Sequence, residues 1–233
     1  MLPRETIATA QIPDGDTLTL VSHGTDFVIM LGREELMGTR MQFSEEQLAV
    51  LTLERLDKAA PRVLIGGYGM GFTFRAALAH LPDGKGEVVV GEVVPEILEW
   101  ARGPLKHLTG ASLDDPRGTV HICDIAALID DAVDGTSEPY DAILLDVDNG
   151  PDGIVREDNW RLYTRTGLAR ARDALAPGGI LSIWSAAADH KFTNSLKNAR
   201  FEVEERFVRA RPNNKGPRHT IWFARNPGAA ELR

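Results

Sequence analysis

At 233 residues, 43% of them hydrophobic, the chain is long enough to bury a sizeable core as one domain with a small appendage. Its net charge of -8 argues against nucleic acid as the main partner, because binding to a phosphate backbone needs a basic field, and points to a small molecule. One cysteine, Cys123, excludes an internal disulfide and a cysteine metal cluster; no apolar run approaches the ~20 residues of a membrane span, and Met1-Leu2-Pro3-Arg4-Glu5 lacks the layout of a signal peptide, so a cytoplasmic location without membrane partners is expected.

Residues 1–43 are expected to form a β-rich segment distinct from the remainder, 44–233. Thr17 to Ser22 and Asp26 to Leu31 are β-rich runs, and His23-Gly24-Thr25 between them is a turn signal, so a hairpin or meander is predicted. Exposed edges on such a meander suit a homodimer. Ser44-Glu45-Glu46-Gln47 reads as a capping box opening a helix through about Lys58, and Pro61 marks the entry to the main domain.

Val63-Leu64-Ile65-Gly66-Gly67-Tyr68-Gly69-Met70-Gly71 is a buried strand that turns sharply into the helical pattern beginning at Phe72. Gly66, Gly67, Gly69 and Gly71 suit a turn whose backbone angles a Cβ forbids, and they let a ligand lie against the main chain. Val88-Val89-Val90-Gly91 then ends in Glu92, about 20 residues on, the spacing of a mononucleotide-binding βαβ unit whose acid takes ribose hydroxyls.

Alternation continues with a helix over Pro95 to Leu108, a strand over Thr119 to Cys123, a helix over Ile125 to Val133 and a strand over Tyr140 to Leu145. A long acidic loop from Asp146 to Asp158 precedes a helix to about Leu175, a Pro177-Gly178-Gly179 turn, a strand over Ile180 to Trp184 and a helix around Phe192 to Arg200. The final strands, Phe201 to Val208 and His219 to Ala224, are separated only by Arg209 to Arg218, so they must pair antiparallel. The pattern predicts an α/β fold: a doubly wound, mostly parallel seven-stranded sheet with an antiparallel C-terminal hairpin and a small N-terminal β-rich segment.

Ligands of such sheets bind outside the carboxyl ends of the strands, where Glu92, Asp124, Asp146 and Asp148 fall. Asp124 either caps the helix at Ile125 or accepts from an adenine amino group. Asp146 follows four apolar residues, where a carboxylate is costly unless paired or solvated at a cleft. The acids of the 146–158 loop are suited to holding a cationic amine and taking its proton. Trp184 is placed either to line the pocket or to join the core, and the basic tip Arg209, Arg211, Lys215 and Arg218 reads as solvated charge. Histidine spacing gives no metal site, and Gly-x-Ser-x-Gly and Gly-Lys-Ser/Thr motifs are absent.

Together these motifs resemble the spermidine synthase (aminopropyltransferase) family of the class I methyltransferase-like superfamily, over nearly the whole chain. The residues that carry the resemblance are Val63 to Gly71 with Arg75 following, Gly91-Glu92-Val93-Val94-Pro95-Glu96, Cys123-Asp124 and Tyr140 to Asp146. The resemblance implies that Glu92 binds ribose, that Asp124 binds adenine and that the loop from Asp146 gates the site. It also implies aminopropyl transfer from decarboxylated S-adenosylmethionine to a diamine. The chain departs from the family in three places. Tyr68 and Met70 stand where the glycine loop usually carries an aspartate; the usual Tyr-His pair before it is replaced by a segment offering Glu45, Glu46 and Gln47; and Asp146-Val147-Asp148-Asn149-Gly150-Pro151 shifts the second acid of the catalytic loop.

Three readings stay open. The first is aminopropyl transfer to a polyamine-like amine, with Asp146 as amine holder and Asp148 as base. The second is methyl transfer from S-adenosylmethionine to a small molecule, since that cofactor's own carboxylate is repelled by a glycine-loop acid that is missing here. The third is a non-catalytic nucleoside-binding homologue.

Overall fold

The computed structural model describes residues 4–13, 15–81, 84–109, 111–147 and 159–228. Polar and apolar residues alternate in β2 (Thr17–His23), so that Leu18 and Leu20 are buried on one face. It pairs antiparallel with β1 (Glu5–Gln11) and with β3 (Asp26–Leu31), and β4 (Glu34–Gly38) completes a four-stranded sheet in the order β1-β2-β3-β4. The two outer strands carry little apolar signal, which is why composition marks only the inner pair.

Helix α1 (Phe43–Leu53) leads into the main sheet. The expected capping box does not form. The N-cap falls two residues earlier, at Gln42, which makes no side-chain cap, and Ser44 is fully buried with its hydroxyl 2.8 Å from Nδ1 of His219, 175 residues away. A buried long-range partner takes the hydroxyl that a local cap would have used. The helix also stops at Leu53 rather than near Lys58, as Arg55 and Leu56 close tight turns onto Thr52 and Leu53 and the Arg55 guanidinium lies 4.0 Å above the Phe223 ring. His219 packs edge-on to Trp184 at 4.7 Å, and burial holds its imidazole pKa below the ordinary value. Ser44→Ala is therefore expected to cost about 1–3 kcal/mol, the penalty of an orphaned buried polar group. The check is the urea midpoint, which should fall at unchanged m; a midpoint equal to wild type would contradict it.

The seven-stranded sheet runs β10-β11-β9-β8-β5-β6-β7. Its members are β5 (Arg62–Gly66), β6 (Glu87–Glu92), β7 (Gly118–Ile122), β8 (Tyr140–Leu145), β9 (Leu175–Ser185), β10 (Glu202–Arg211) and β11 (Lys215–Arg225). Strands β5 to β9 pair in parallel, and β11 lies antiparallel to both β9 and β10. Central strands are covered on both faces, which explains the unbroken apolar runs of β5 and β8. Val63 and Ile65 face the core built with Leu48 of α1, Phe74 of α2 (Phe72–His80) and Trp100 of α3 (Pro95–Arg102). Leu64 and Ile143 face the opposite core, with Ile129 of α5 (Ile125–Val133), Leu168 of α7 (Arg165–Asp173) and Leu196 of α8 (His190–Asn198).

Other departures follow from local chemistry. The helix expected to reach Leu108 breaks at Gly103-Pro104, since proline cannot donate to a helical bond, and resumes as the short α4 (Lys106–Thr109). The helix before Leu175 is split into α6 (Trp160–Tyr163) and α7, with the Thr164 hydroxyl accepting from the Gly167 N–H at 3.1 Å. Pro177-Gly178-Gly179 lies inside β9 rather than before it. Gly178 takes φ +79°, and its N–H donates to the Asn226 carbonyl at 2.8 Å, so the chain after β11 holds the irregular stretch in place. The C-terminal hairpin is longer than expected, because Asn213 and Asn214 accept positive φ (57° and 62°) and turn the chain within residues 212–214. Edge strand β7 is largely exposed, and Cys123 beside it is partly buried. Among the described residues no helix is long and apolar enough to cross a membrane.

Register places the carboxyl ends side by side. Gly66 of β5 aligns with Gly91 of β6 and with Leu145 of β8, so the residues that follow all emerge at one edge of the sheet. Strand β5 is also where the chain's direction of winding reverses, the topological switch at which open α/β sheets bind ligands.

Candidate active site

Past Gly66 the backbone takes φ +79° at Gly67, +54° at Gly69 and +75° at Gly71, conformations that side chains rarely adopt. The Gly67 N–H donates to the Gly91 carbonyl at 2.9 Å, tying the loop to the end of β6. Gly67 and Gly69 line a cavity at the sheet's carboxyl edge, whereas Gly66 and Gly71 do not line it. A Cβ on Gly66 would meet Ile125 at 2.7 Å, and one on Gly71 would meet the Tyr68 hydroxyl at 2.7 Å. Tyr68 and Met70 are both buried in the core, Tyr68 against the Phe74 ring at 5.7 Å. The glycine loop thus presents backbone to the cavity and sends its two large side chains away from it.

Glu92, at the end of β6, is buried and lines the cavity. Its carboxylate accepts from the N–H of Tyr68 at 2.9 Å and of Val94 at 2.8 Å. Burial pushes its carboxyl above the ordinary value, and these amides pull it back. Asp124 caps α5, its Oδ1 accepting from the Ala126 N–H at 2.9 Å, while Oδ2 meets Nη2 of Arg161 at 2.6 Å; it still lines the cavity. Asp146, just past β8, accepts from the Thr73 hydroxyl at 2.7 Å, and burial pushes its carboxyl up to about 6.

Asp148 lies outside the described residues, as does the loop through Asp158. Trp184 lines the cavity with its indole N–H buried and without a hydrogen-bond partner among the described residues. The basic hairpin tip is solvated: Arg211, Lys215 and Arg218 are exposed, Arg209 donates to the Gly216 carbonyl at 3.1 Å, and none of the four lines the cavity.

Glu45 is the residue that sequence reasoning missed. It is 8% exposed and lines the same cavity, and burial, with Asp146 next in weight, pushes its carboxyl well above the ordinary value. A signal was present in the helical spacing, because Leu48 and Ala49, three and four residues on, are fully buried and put Glu45 on the apolar face. Neighbouring Glu46 instead pairs with Arg75 at 2.6 Å. The N-terminal sheet closes the cavity with Leu18, Ile29 and Met37, so the two sheets share it. Its lining therefore holds four acids, Glu45, Glu92, Asp124 and Asp146, and, among the described residues, no lysine, arginine or histidine. Among the described residues no cluster of His, Cys, Asp and Glu suits a metal ion.

The main sheet and its hairpin define a class I methyltransferase-like fold. Solved spermidine synthases share it: the one from Thermotoga maritima superposes with a TM-score of 0.72 at 22% identity, covering 95% of this chain and 72% of that one. One crystallised with the transition state analogue AdoDATO gives 0.71 at 21% identity, with the same coverage. Human methyltransferase-like protein 13, in complex with SAH, gives 0.54 at 23% identity over 79% of this chain and 78% of that one. In sequence the chain is similar to the polyamine aminopropyltransferase of Mycobacterium tuberculosis, 34% identical over 139 residues, which is 57% of this chain and 24% of that protein. It is also similar to that of Korarchaeum cryptofilum, 30% identical over 132 residues, 57% of this chain and 36% of that protein. The chain thus spans about a quarter to a third of the length of these curated relatives. No protein-family model matches it.

Proposed function

We propose that the chain transfers an aminopropyl group from decarboxylated S-adenosylmethionine to a polyamine-like amine. The observation that carries this reading is the cavity's lining of four acids and, among the described residues, no basic side chain, at the switch point of a methyltransferase-like sheet. Such a lining favours a ligand bearing sulfonium and ammonium charge over one bearing phosphate. Similarity to polyamine aminopropyltransferases supports the same reading.

In this reading Glu92, already oriented by two backbone amides, accepts from the ribose hydroxyls. The Gly67 and Gly69 backbone lies against the nucleoside, and Asp124 accepts from the adenine amino group. The acceptor nitrogen attacks the methylene carbon next to the sulfonium; the carbon–sulfur bond breaks, and its electron pair leaves on sulfur as neutral methylthioadenosine. The nitrogen's proton passes to a carboxylate, Asp148 as base with Asp146 holding the amine. Alignment and exclusion of water are the remaining contributions, and the N-terminal sheet over the cavity serves the second.

Titration calorimetry with decarboxylated and intact S-adenosylmethionine tests the assignment. Tighter binding of the decarboxylated form is expected. Preference for the intact form would replace this reading by methyl transfer, and binding of neither would leave a non-catalytic homologue.

A further inference from the structure

The glycine loop contributes no acid to the cavity, yet a buried one reaches it from a different element. Glu45 projects from the first turn of α1, more than nine-tenths buried, and among the described residues no side chain or amide donates to its carboxylate. Arg75, the one arginine or lysine in α1 and α2, is taken by Glu46 and by the Leu108 carbonyl. Thr73 stands between Glu45 and Asp146: its hydroxyl lies 3.2 Å from the Glu45 backbone carbonyl and 2.7 Å from Oδ2 of Asp146, so its one proton is spent on Asp146. A buried carboxylate without a counter-ion is costly, and removing it would be cheap for a fold that did not need it. Its place with Asp146 in the lining of one cavity, whose described lining holds no basic residue, is accounted for when a cation arrives with the ligand.

We propose that Glu45 is the specificity-determining residue for the chain carried by the sulfonium: beside Asp146, its carboxylate binds the terminal ammonium of the aminopropyl group and repels a donor that keeps its α-carboxylate. The inference rests on the reading of the cavity as a sulfonium-nucleoside site. It assigns to α1 the role that the glycine loop, with Tyr68 and Met70 turned into the core, does not fill.

The test is titration of three ligands, methylthioadenosine, decarboxylated S-adenosylmethionine and S-adenosylmethionine, against wild type, Glu45→Gln and Glu45→Asp. Methylthioadenosine has the nucleoside but not the aminopropyl chain. Glu45→Gln keeps the shape and removes the charge, so its methylthioadenosine affinity should stay within about twofold of wild type, a check that the cavity is intact. Affinity for the decarboxylated donor should fall by about 10- to 100-fold, as expected on losing a charge-assisted bond, and the ratio of decarboxylated to intact donor affinity should fall with it. Glu45→Asp should recover part of that ratio. Equal weakening of methylthioadenosine and the decarboxylated donor, or an unchanged ratio, would overturn the proposal. Wild type that binds none of the three would overturn the nucleoside reading as well, a result distinct from the first.

Discussion

Asp146→Asn is expected to weaken binding of the donor or the amine by about 10- to 100-fold, the scale of losing a charge-assisted bond, and to lower turnover with it, while making the ligand-free protein more stable at neutral pH. The two effects share one cause. Folding moves the Asp146 carboxyl from an ordinary 3.8 to about 6, chiefly through burial. Between those values the folded state binds more protons than the unfolded chain, so the group's contribution to stability falls as pH rises through that window and stays unfavourable above it. Asparagine removes the ionisation and still accepts from the Thr73 hydroxyl. With allowance for partial exposure at the cleft, the gain at pH 7.5 should be about 1–3 kcal/mol, vanishing below about pH 3, where both states hold the proton. Urea unfolding at the two pH values, beside turnover, checks both halves. A variant as active as wild type would remove Asp146 from the chemistry, and one less stable at pH 7.5 would contradict the account of its burial.

Glu92→Ala is expected to weaken nucleoside binding by about 1.5–3 kcal/mol, roughly 10- to 150-fold, the scale of hydrogen bonds to a charged group. The central sheet should remain folded, because Glu92 is the last residue of β6 and the buried residues Val88, Val89 and Val90 that hold the strand between β5 and β7 are untouched. The mutation also releases the Tyr68 and Val94 amides, so a drop in affinity alone would not separate a ribose contact from a loosened loop. Comparing adenosine with its 2′,3′-dideoxy analogue does. Wild type should discriminate strongly between them and Glu92→Ala hardly at all. Discrimination that survives in the variant would sink the ribose assignment.

Both residues are legible in the amino-acid sequence, for a physical reason. A run of apolar residues that ends in glycines or an acid reports a buried strand reaching a cleft, and that constraint is written within a few residues. The parallel order is legible too, since strands joined through helices must run parallel and the helix-free link between β10 and β11 can only reverse. Glu45 and Ser44 are not legible in the same way. Their local spelling, Ser-Glu-Glu-Gln, matches a capping box, but the competition is decided at long range, where His219 takes the serine, Arg75 takes Glu46 and the buried face of α1 carries Glu45 into the cavity. The extension of β9 through Pro177-Gly178-Gly179 is hidden likewise, because Asn226, about 50 residues on in a different strand's tail, supplies the bonds that hold it.

In the proposed reaction this acidic cavity breaks the carbon–sulfur bond of a sulfonium nucleoside for an amine. The measurement that tests it most directly is release of methylthioadenosine from decarboxylated S-adenosylmethionine, with and without putrescine. Amine-dependent release is expected, matched by formation of the aminopropylated product and sharply reduced in Asp146→Asn. Protein that binds the decarboxylated donor yet releases no methylthioadenosine with any diamine would contradict it.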